Sequence, residues 1–411
     1  MKLTVLFTLA LLTTQSYAAT PAEMAIKQAM GSIEKQPAYY PYYNDLATAY
    51  ARRARETSDV QFYAKAEEAL RKSFALAPDN FDGLKVEARL QLGRHEFSKA
   101  LETATKLNKT APDDVAVYGY LVDANVELGN YQDAITAAQW MLDIRTGNVP
   151  ALARAAYLRE LHGNLSGALE LLQMAYEAVP QSESEDRAWL LVQTARIELL
   201  SGDLSKAESY AMEALAAFPG YHDALGALAQ VRVAQARYRD AVDLLRQSYD
   251  ATPHAEVLYA LAEAQELAGQ REDSAASFRR FELQARAQST AADSSNRELI
   301  LYYLDHAHAP AKALELARRE VAVRQDVFTL DAYAWALAGN GDYEEAGVQL
   351  QKALAMNVRD PTLLYHAGAI GLHLKHADKA ELYLKDAAAR YSVEAAKLLG
   401  SLPEKTNLGG K

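Results

Sequence analysis

A small residue returns at almost constant spacing along most of this chain. Ala66, Ala100, Ala134, Ala168, Ala207, Ala241, Ser274, Ala313, Ala346 and Ala380 are separated by 34, 34, 34, 39, 34, 33, 39, 33 and 34 residues. A unit this short cannot bury an apolar face by itself, so the units must stack on one another. Twelve residues before these positions lies a second small residue: Ala88, Ala156, Ala195, Ala229, Ala262, Ala334 and Gly368. Val122 and Leu301 are the exceptions, and Ala47 takes this part in the first unit, set back by an insertion. Two antiparallel helices approach closely only where their side chains are small. The paired positions therefore predict hairpins whose two helices cross alanine on alanine.

The remaining punctuation agrees. One helical turn before the first small position sits a large apolar residue: Leu84, Tyr118, Leu152, Leu191, Leu225, Leu258, Leu330 or Leu364. That spacing puts both on one buried face. Gly129, Gly163, Gly202, Gly269 and Gly341 fall between the two helices, where a left-handed residue ends the first. Pro78, Pro112, Pro180 and Pro219 follow the second, which proline cannot continue. Phe97, Tyr131, Tyr238 and Tyr343 open the second helix with a packing aromatic.

These features resemble the tetratricopeptide repeat (TPR) family. The clearest unit is Val327 to Asp360, with Leu330, Tyr333-Ala334, Gly341-Asp342-Tyr343, Ala346 and Ala353; Val115 to Asn148 is nearly as good. The resemblance spans roughly residues 40–392 and implies an all-α fold: a right-handed superhelical solenoid of nine to ten helix hairpins with capping helices. The expected units lie near 40–80, 81–114, 115–148, 149–182, 188–221, 222–254, 255–288, 294–326, 327–360 and 361–392. An amphipathic helix within 20–39 is expected to cap the front, and 393–411 to form a rear cap and loose tail. Departures are also plain. Extra residues stand near Arg55 to Val60, Gln181 to Asp186 and Ser289 to Asp293, as hinges or as loops. The unit at 294–326 is the weakest, with Arg297 at the large apolar position and His308 and Pro310 in place of a glycine and an aromatic.

Composition narrows the function classes. Half of the 411 residues are apolar and 24% are charged, enough to build a core. Lys plus Arg number 43 against 54 Asp plus Glu, a net charge of −11, which disfavours a nucleic-acid or anionic-lipid partner. The absence of cysteine removes disulfides, thiolate metal sites and cysteine nucleophiles. Met1-Lys2, an apolar run from Leu3 to Leu12 and a small-residue end at Ala18-Ala19 read as a secretory signal peptide over 1–19, cleaved near Ala18 or Ala19. The expected location is the bacterial periplasm or the exterior, without membrane insertion.

No catalytic constellation emerges. Gly339-Asn340-Gly341 is a repeat turn rather than a phosphate loop, and no nucleophile elbow or zinc-protease helix appears. Asp79 to Gly83 resembles half a calcium loop but lacks its distal acid, so inter-repeat turn chemistry explains it. His306, His308, His366, His373 and His376 read as solvated or capping residues rather than ligands. The chain is therefore expected to be non-enzymatic, with no cofactor and no metal.

Function is expected in the concave surface lined by the first helix of each hairpin. Its front half carries Lys85, Arg89, Tyr120, Asp123, Arg154, Tyr157, Gln193 and Arg196. Its rear half carries Tyr259, Glu263, Glu266, Glu298, Tyr302, Asp305, Asp331, Trp335 and Tyr365. A basic and aromatic stripe suits an acidic segment of another protein or peptide. Trp335 is expected to stay exposed until a partner covers it. The main expectation is a protein-binding scaffold that aids assembly or secretion of an envelope complex. A glycan-binding solenoid in polysaccharide export, using Tyr120, Tyr157, Tyr302 and Trp335, is the alternative, and a metal protein or enzyme at Asp305, His306 and His308 the remote one.

Overall fold

The computed structural model describes residues 19–57, 59, 61–289 and 294–402. Among these, twenty-two α-helices and no strand are present. The signal-peptide expectation therefore lies, up to Ala18, outside the described residues, as do most of the expected tail and most of the extra residues at 289–293.

A capping helix, α1 (Pro21–Lys35), precedes ten hairpins. The first three are α2 (Pro41–Thr57) with α3 (Gln61–Leu76), α4 (Phe81–Gly93) with α5 (Phe97–Thr110), and α6 (Val115–Glu127) with α7 (Tyr131–Ile144). Next come α8 (Val149–Leu161) with α9 (Leu165–Ala178), and α10 (Ser184–Ser201) with α11 (Leu204–Ala217). They are followed by α12 (His222–Ala234) with α13 (Tyr238–Ala251), and α14 (Ala255–Leu267) with α15 (Arg271–Gln288). The last three are α16 (Asn296–Asp305) with α17 (Pro310–Val321), α18 (Val327–Gly339) with α19 (Tyr343–Leu354), and α20 (Pro361–His373) with α21 (Ala377–Ala389). A final helix, α22 (Val393–Ser401), covers the rear.

The periodic alanines are where the arms cross. Each is at most 1% exposed, and Ser274 is 4% exposed. Interiors packed to this density leave no room for a larger side chain without displacement. Asx residues fix where the first helices start. The Asn80 side chain accepts from Gly83 N–H at 2.7 Å, Asp114 from Ala116 at 2.9 Å and Asp360 from Thr362 at 2.9 Å. That role accounts for the half calcium loop at Asp79 to Gly83.

The weakest unit folds like the others. His308 takes the left-handed position between the helices (φ 48°), and α17 begins on Pro310. Arg297 is exposed and lies over the Phe328 ring at 5.5 Å, so the large apolar position of this unit is not filled by a buried side chain. The extra residues at 181–186 are partly helix: Ser184 to Asp186 add a turn to the front of α10, so the unit expected from 188 begins four residues earlier.

The superhelix closes on itself. Gln325 N–H donates to the Glu127 carbonyl at 2.8 Å. The Tyr391 hydroxyl donates to the Gly202 carbonyl at 2.9 Å, and Arg390 reaches the Leu200 carbonyl. The turns inside hairpins three to five thus sit on the loops that close hairpins eight to ten. The contact is apolar as well. One core cluster holds Val122, Val126 and Leu161 together with Val327, Val358 and Leu363. Gly129 and Gly163 are required at this seam. Both have positive φ (75° and 71°), and a Cβ would stand 2.8 Å from the Gln325 carbonyl oxygen and 2.6 Å from that of Asn357.

Candidate functional site

The first helices line a bore that is open to solvent. Near its front lies a cavity of about 1480 Å³, lined by residues of α1, α2, α4, α6 and α8, among them Arg52, Arg55, Arg89, Tyr120 and Arg154. A second cavity of about 650 Å³ lies beside it, lined by Tyr157, Glu160, Glu183, Trp189, Gln193 and Arg196. Arg55, Asp123, Arg154 and Asp186 border both, so the two adjoin across these side chains.

Most of the expected basic stripe is already paired. Arg154 grips Asp123 with two parallel bonds of 2.7 and 2.5 Å, and its Nε also donates to the Gly119 carbonyl at 3.2 Å. Arg196 grips the buried Glu160 in the same forked way, one bond measuring 2.5 Å, and donates to Gln193 at 3.2 Å. Lys85 donates to Asp114 at 2.9 Å and stands 3.2 Å from Asp82. These cations spend their charge holding adjacent first helices together, which corrects the expectation of a free basic surface.

Arg89 differs. It is half-buried in the wall of the larger cavity, and among the described residues no carboxylate pairs with it. Burial disfavours its charge, the tyrosines Tyr120 and Tyr63 offset this in part, and Arg55 and Arg154 add like-charge repulsion. Its ionisation is accordingly held below the usual arginine range. An arriving anion would offset part of that cost. Tyr120, also in this wall, has its hydroxyl pushed up by burial, against the pull of Arg89, Lys85 and Arg154.

The rear half departs further from expectation. Tyr259 and Tyr302 are 7% and 8% exposed and belong to the core with Phe278 and Phe281. The Tyr302 hydroxyl reaches Glu282 on α15, a second helix, at 3.4 Å. Trp335 does face inward, but only half-exposed: its indole N–H donates to Asp305 at 2.9 Å and its ring stacks on His366 at 4.3 Å. Its N–H and one ring face are thus already covered within the chain.

Two histidines expected to be solvated or capping are structural. His366 is 1% exposed and bonded to Asp331 at 2.9 Å. Burial opposes its charge, yet the attraction of Asp331 outweighs it and the net shift is upward. His306 lies 3.4 Å from Glu266 and stacks near Phe278 at 4.1 Å. His373 stacks on Tyr343 at 4.0 Å. Among the described residues no group of three His, Cys, Asp or Glu side chains is arranged to hold a metal, and no helix is long and apolar enough to cross a membrane.

Residues that sequence reasoning passed over complete the site. Asp114, Glu160 and the acidic turn Glu183 to Asp186 supply the partners of its cations. A signal for three of the pairs was present: Lys85–Asp114, Arg154–Asp123 and Arg196–Glu160 are separated by 29, 31 and 36 residues, close to one repeat.

Comparison with known proteins agrees with this build. The family model described as tetratricopeptide repeat matches residues 85–149 and 227–292. No curated protein matches the chain in sequence. Among solved structures, the chain is similar to PilW, a type IV pilus biogenesis factor (TM-score 0.42, 15% identity, 50% of this chain and 92% of that one). It is also similar to yeast Tom70 (0.42, 15%, 92% and 91%) and to human IFIT1 with m7Gppp-AAAA (0.49, 12%, 91% and 96%). The matched repeats lie within an all-α superhelical array of ten helix hairpins of tetratricopeptide-like build.

Proposed function

We propose that the chain is a non-catalytic scaffold of the bacterial periplasm or exterior that holds an acidic segment of a partner protein in the front of its bore. The observation that carries this reading is Arg89, a half-buried cation without a carboxylate, in the wall of a 1480 Å³ cavity. A preformed wall lowers the ordering cost of binding, and a guanidinium fork fits a carboxylate. Tyr120 and Tyr63 add flat contact area beside it. A role in assembling an envelope complex fits such a scaffold and the leader-like first nineteen residues. The location is checked by fractionation of cells that produce the full chain.

The binding test compares unaltered mature protein with Arg89→Glu in affinity capture from envelope extract. Among the described residues Arg89 makes no ion pair, so its reversal isolates binding, whereas changes at Arg154 or Arg196 would also break Asp123 and Glu160 pairs. A protein retained by the first, lost by the second and released by salt supports the reading. Equal retention by both proteins overturns it. Capture of a polysaccharide insensitive to salt would favour the glycan alternative.

A further inference from the structure

Two of the departures from the repeat period meet each other. The 39-residue step between Ala168 and Ala207 accommodates the acidic turn Glu183-Ser184-Glu185-Asp186. That turn lies against the end of α2, where the first insertion begins. Arg52 bonds Glu183 at 2.6 Å, and Arg55 bonds Asp186 at 2.7 Å and Glu185 at 2.5 Å. About 130 residues separate the partners. Arg55 and Asp186 border both cavities, so the contact stands where they join.

The three acids are not equivalent. Glu185 is fully buried and accepts from the Tyr221 hydroxyl at 3.3 Å, which makes it a fixed support. The Glu183 and Asp186 side chains are 35% and 37% exposed. Ion pairs exposed to this degree contribute little and exchange readily, whereas Arg52 also stands 3.7 Å from the buried Glu56 and Arg55 keeps the buried Glu185. The chain thus places a short acidic segment of its own on two arginines at the junction of the cavities.

We propose that Glu183 and Asp186 are a built-in occupant of the bore, and that the acidic segment of a partner enters by taking Arg52 and Arg55 from them. The inference rests on the reading that the front of the bore takes acidic segments. It adds that the free protein is self-occupied and that removing the internal acids strengthens binding.

The probe is a fluorescein-labelled peptide of this chain's own residues 181–186, titrated by anisotropy. Glu183→Gln with Asp186→Asn is expected to bind it about tenfold more tightly than the unaltered protein. A second arm, Arg52→Gln with Arg55→Gln, is expected to lose the peptide. Melting curves establish that every variant is folded. The proposal is overturned if the Gln and Asn variant binds no more tightly, or if the Arg52→Gln, Arg55→Gln protein still holds the peptide. Adding Arg89→Glu to the Gln and Asn variant separates the two ideas. Peptide binding lost with Arg89→Glu but unchanged by the acid substitutions sinks the built-in occupant alone; no binding to any of these proteins sinks the acidic-segment reading with it.

Discussion

The backbone N–H of Val327 donates to the Tyr131 hydroxyl at 2.8 Å, across 196 residues of sequence. Tyr131 thus does more than open α7: it satisfies the first amide of α18, one of the orphan donors at a helix start. Tyr131→Phe removes the acceptor and leaves the ring. It should cost about 1–2 kcal/mol in denaturant unfolding. Tyr343→Phe, at the equivalent position of a later hairpin, should cost less. Equal losses would mean that the bond across the seam contributes nothing.

The glycines of the seam can be set against one outside it. Gly341 has φ 86°, and a Cβ added there would meet nothing within 4 Å, so Gly341→Ala carries backbone strain only. Gly129→Ala and Gly163→Ala carry the same strain and also meet a carbonyl oxygen of the next superhelical turn. Each should destabilise by about 1 kcal/mol more than Gly341→Ala. Thermal melts of the three variants decide it.

Arg196 and Glu160 test whether the paired cations hold the array together. Glu160 is 5% exposed, so Arg196→Ala leaves a carboxylate buried and unpaired. A loss of about 2 kcal/mol is expected, below the range for fully buried pairs because Arg196 is partly solvated. Arg196→Met with Glu160→Gln should recover more than half of that. No recovery in the double variant would show that the pair is not the cause.

His366 gives the array a pH dependence of known sign. Its pKa lies above the ordinary 6.5, drawn upward by Asp331 and, more weakly, by Asp305 and Asp360. The stabilisation is complete below 6.5 and disappears as pH rises through the raised value. His306 shifts the same way, so the measurement must be a difference. The unfolding free energy of unaltered protein minus that of His366→Asn should be largest on the acid side and shrink as pH rises. A difference that grows with pH would refute the assignment.

The start of the described chain bears on the leader. The Thr20 hydroxyl donates to Glu56 at 2.5 Å, and its backbone N–H donates to Glu23 at 3.0 Å. Both carboxylates also pair with Arg53, so Thr20 sits in a built cap at the front of α1, and cleavage after Ala19 would leave that cap whole. Mass spectrometry of exported protein should find Thr20 as its first residue. An uncleaved Met1 would remove the leader reading.

The hairpins were legible because they are made of local, repeated contacts: an alanine at the crossing, a left-handed turn, a capping Asx. Even the unit with Arg297, His308 and Pro310 obeyed the period. What a single helix face could not reveal was who stands opposite. Arg154 and Arg196 read as free cations because Asp123 and Glu160 lie about one repeat away on a neighbouring helix. Tyr302 read as inward because the repeat register places it on a first helix, whereas its aromatic neighbours draw it into the core. The seam was hidden for another reason. Its partners are almost half the chain apart, and nothing periodic marks Gln325 or Tyr391 as contact residues.

That seam changes how the molecule must assemble. In an open array each hairpin needs only the one before it, so order can spread along the chain as it is made. Here the third hairpin reaches its final surroundings only after the ninth has been synthesised. Closing so long a loop is slow, and folding rates fall as contacts become less local. The last step of folding is therefore a ring closure. Until it happens the molecule is an unlatched coil, with the core that Val122, Val126 and Leu161 share with Val327, Val358 and Leu363 only half assembled.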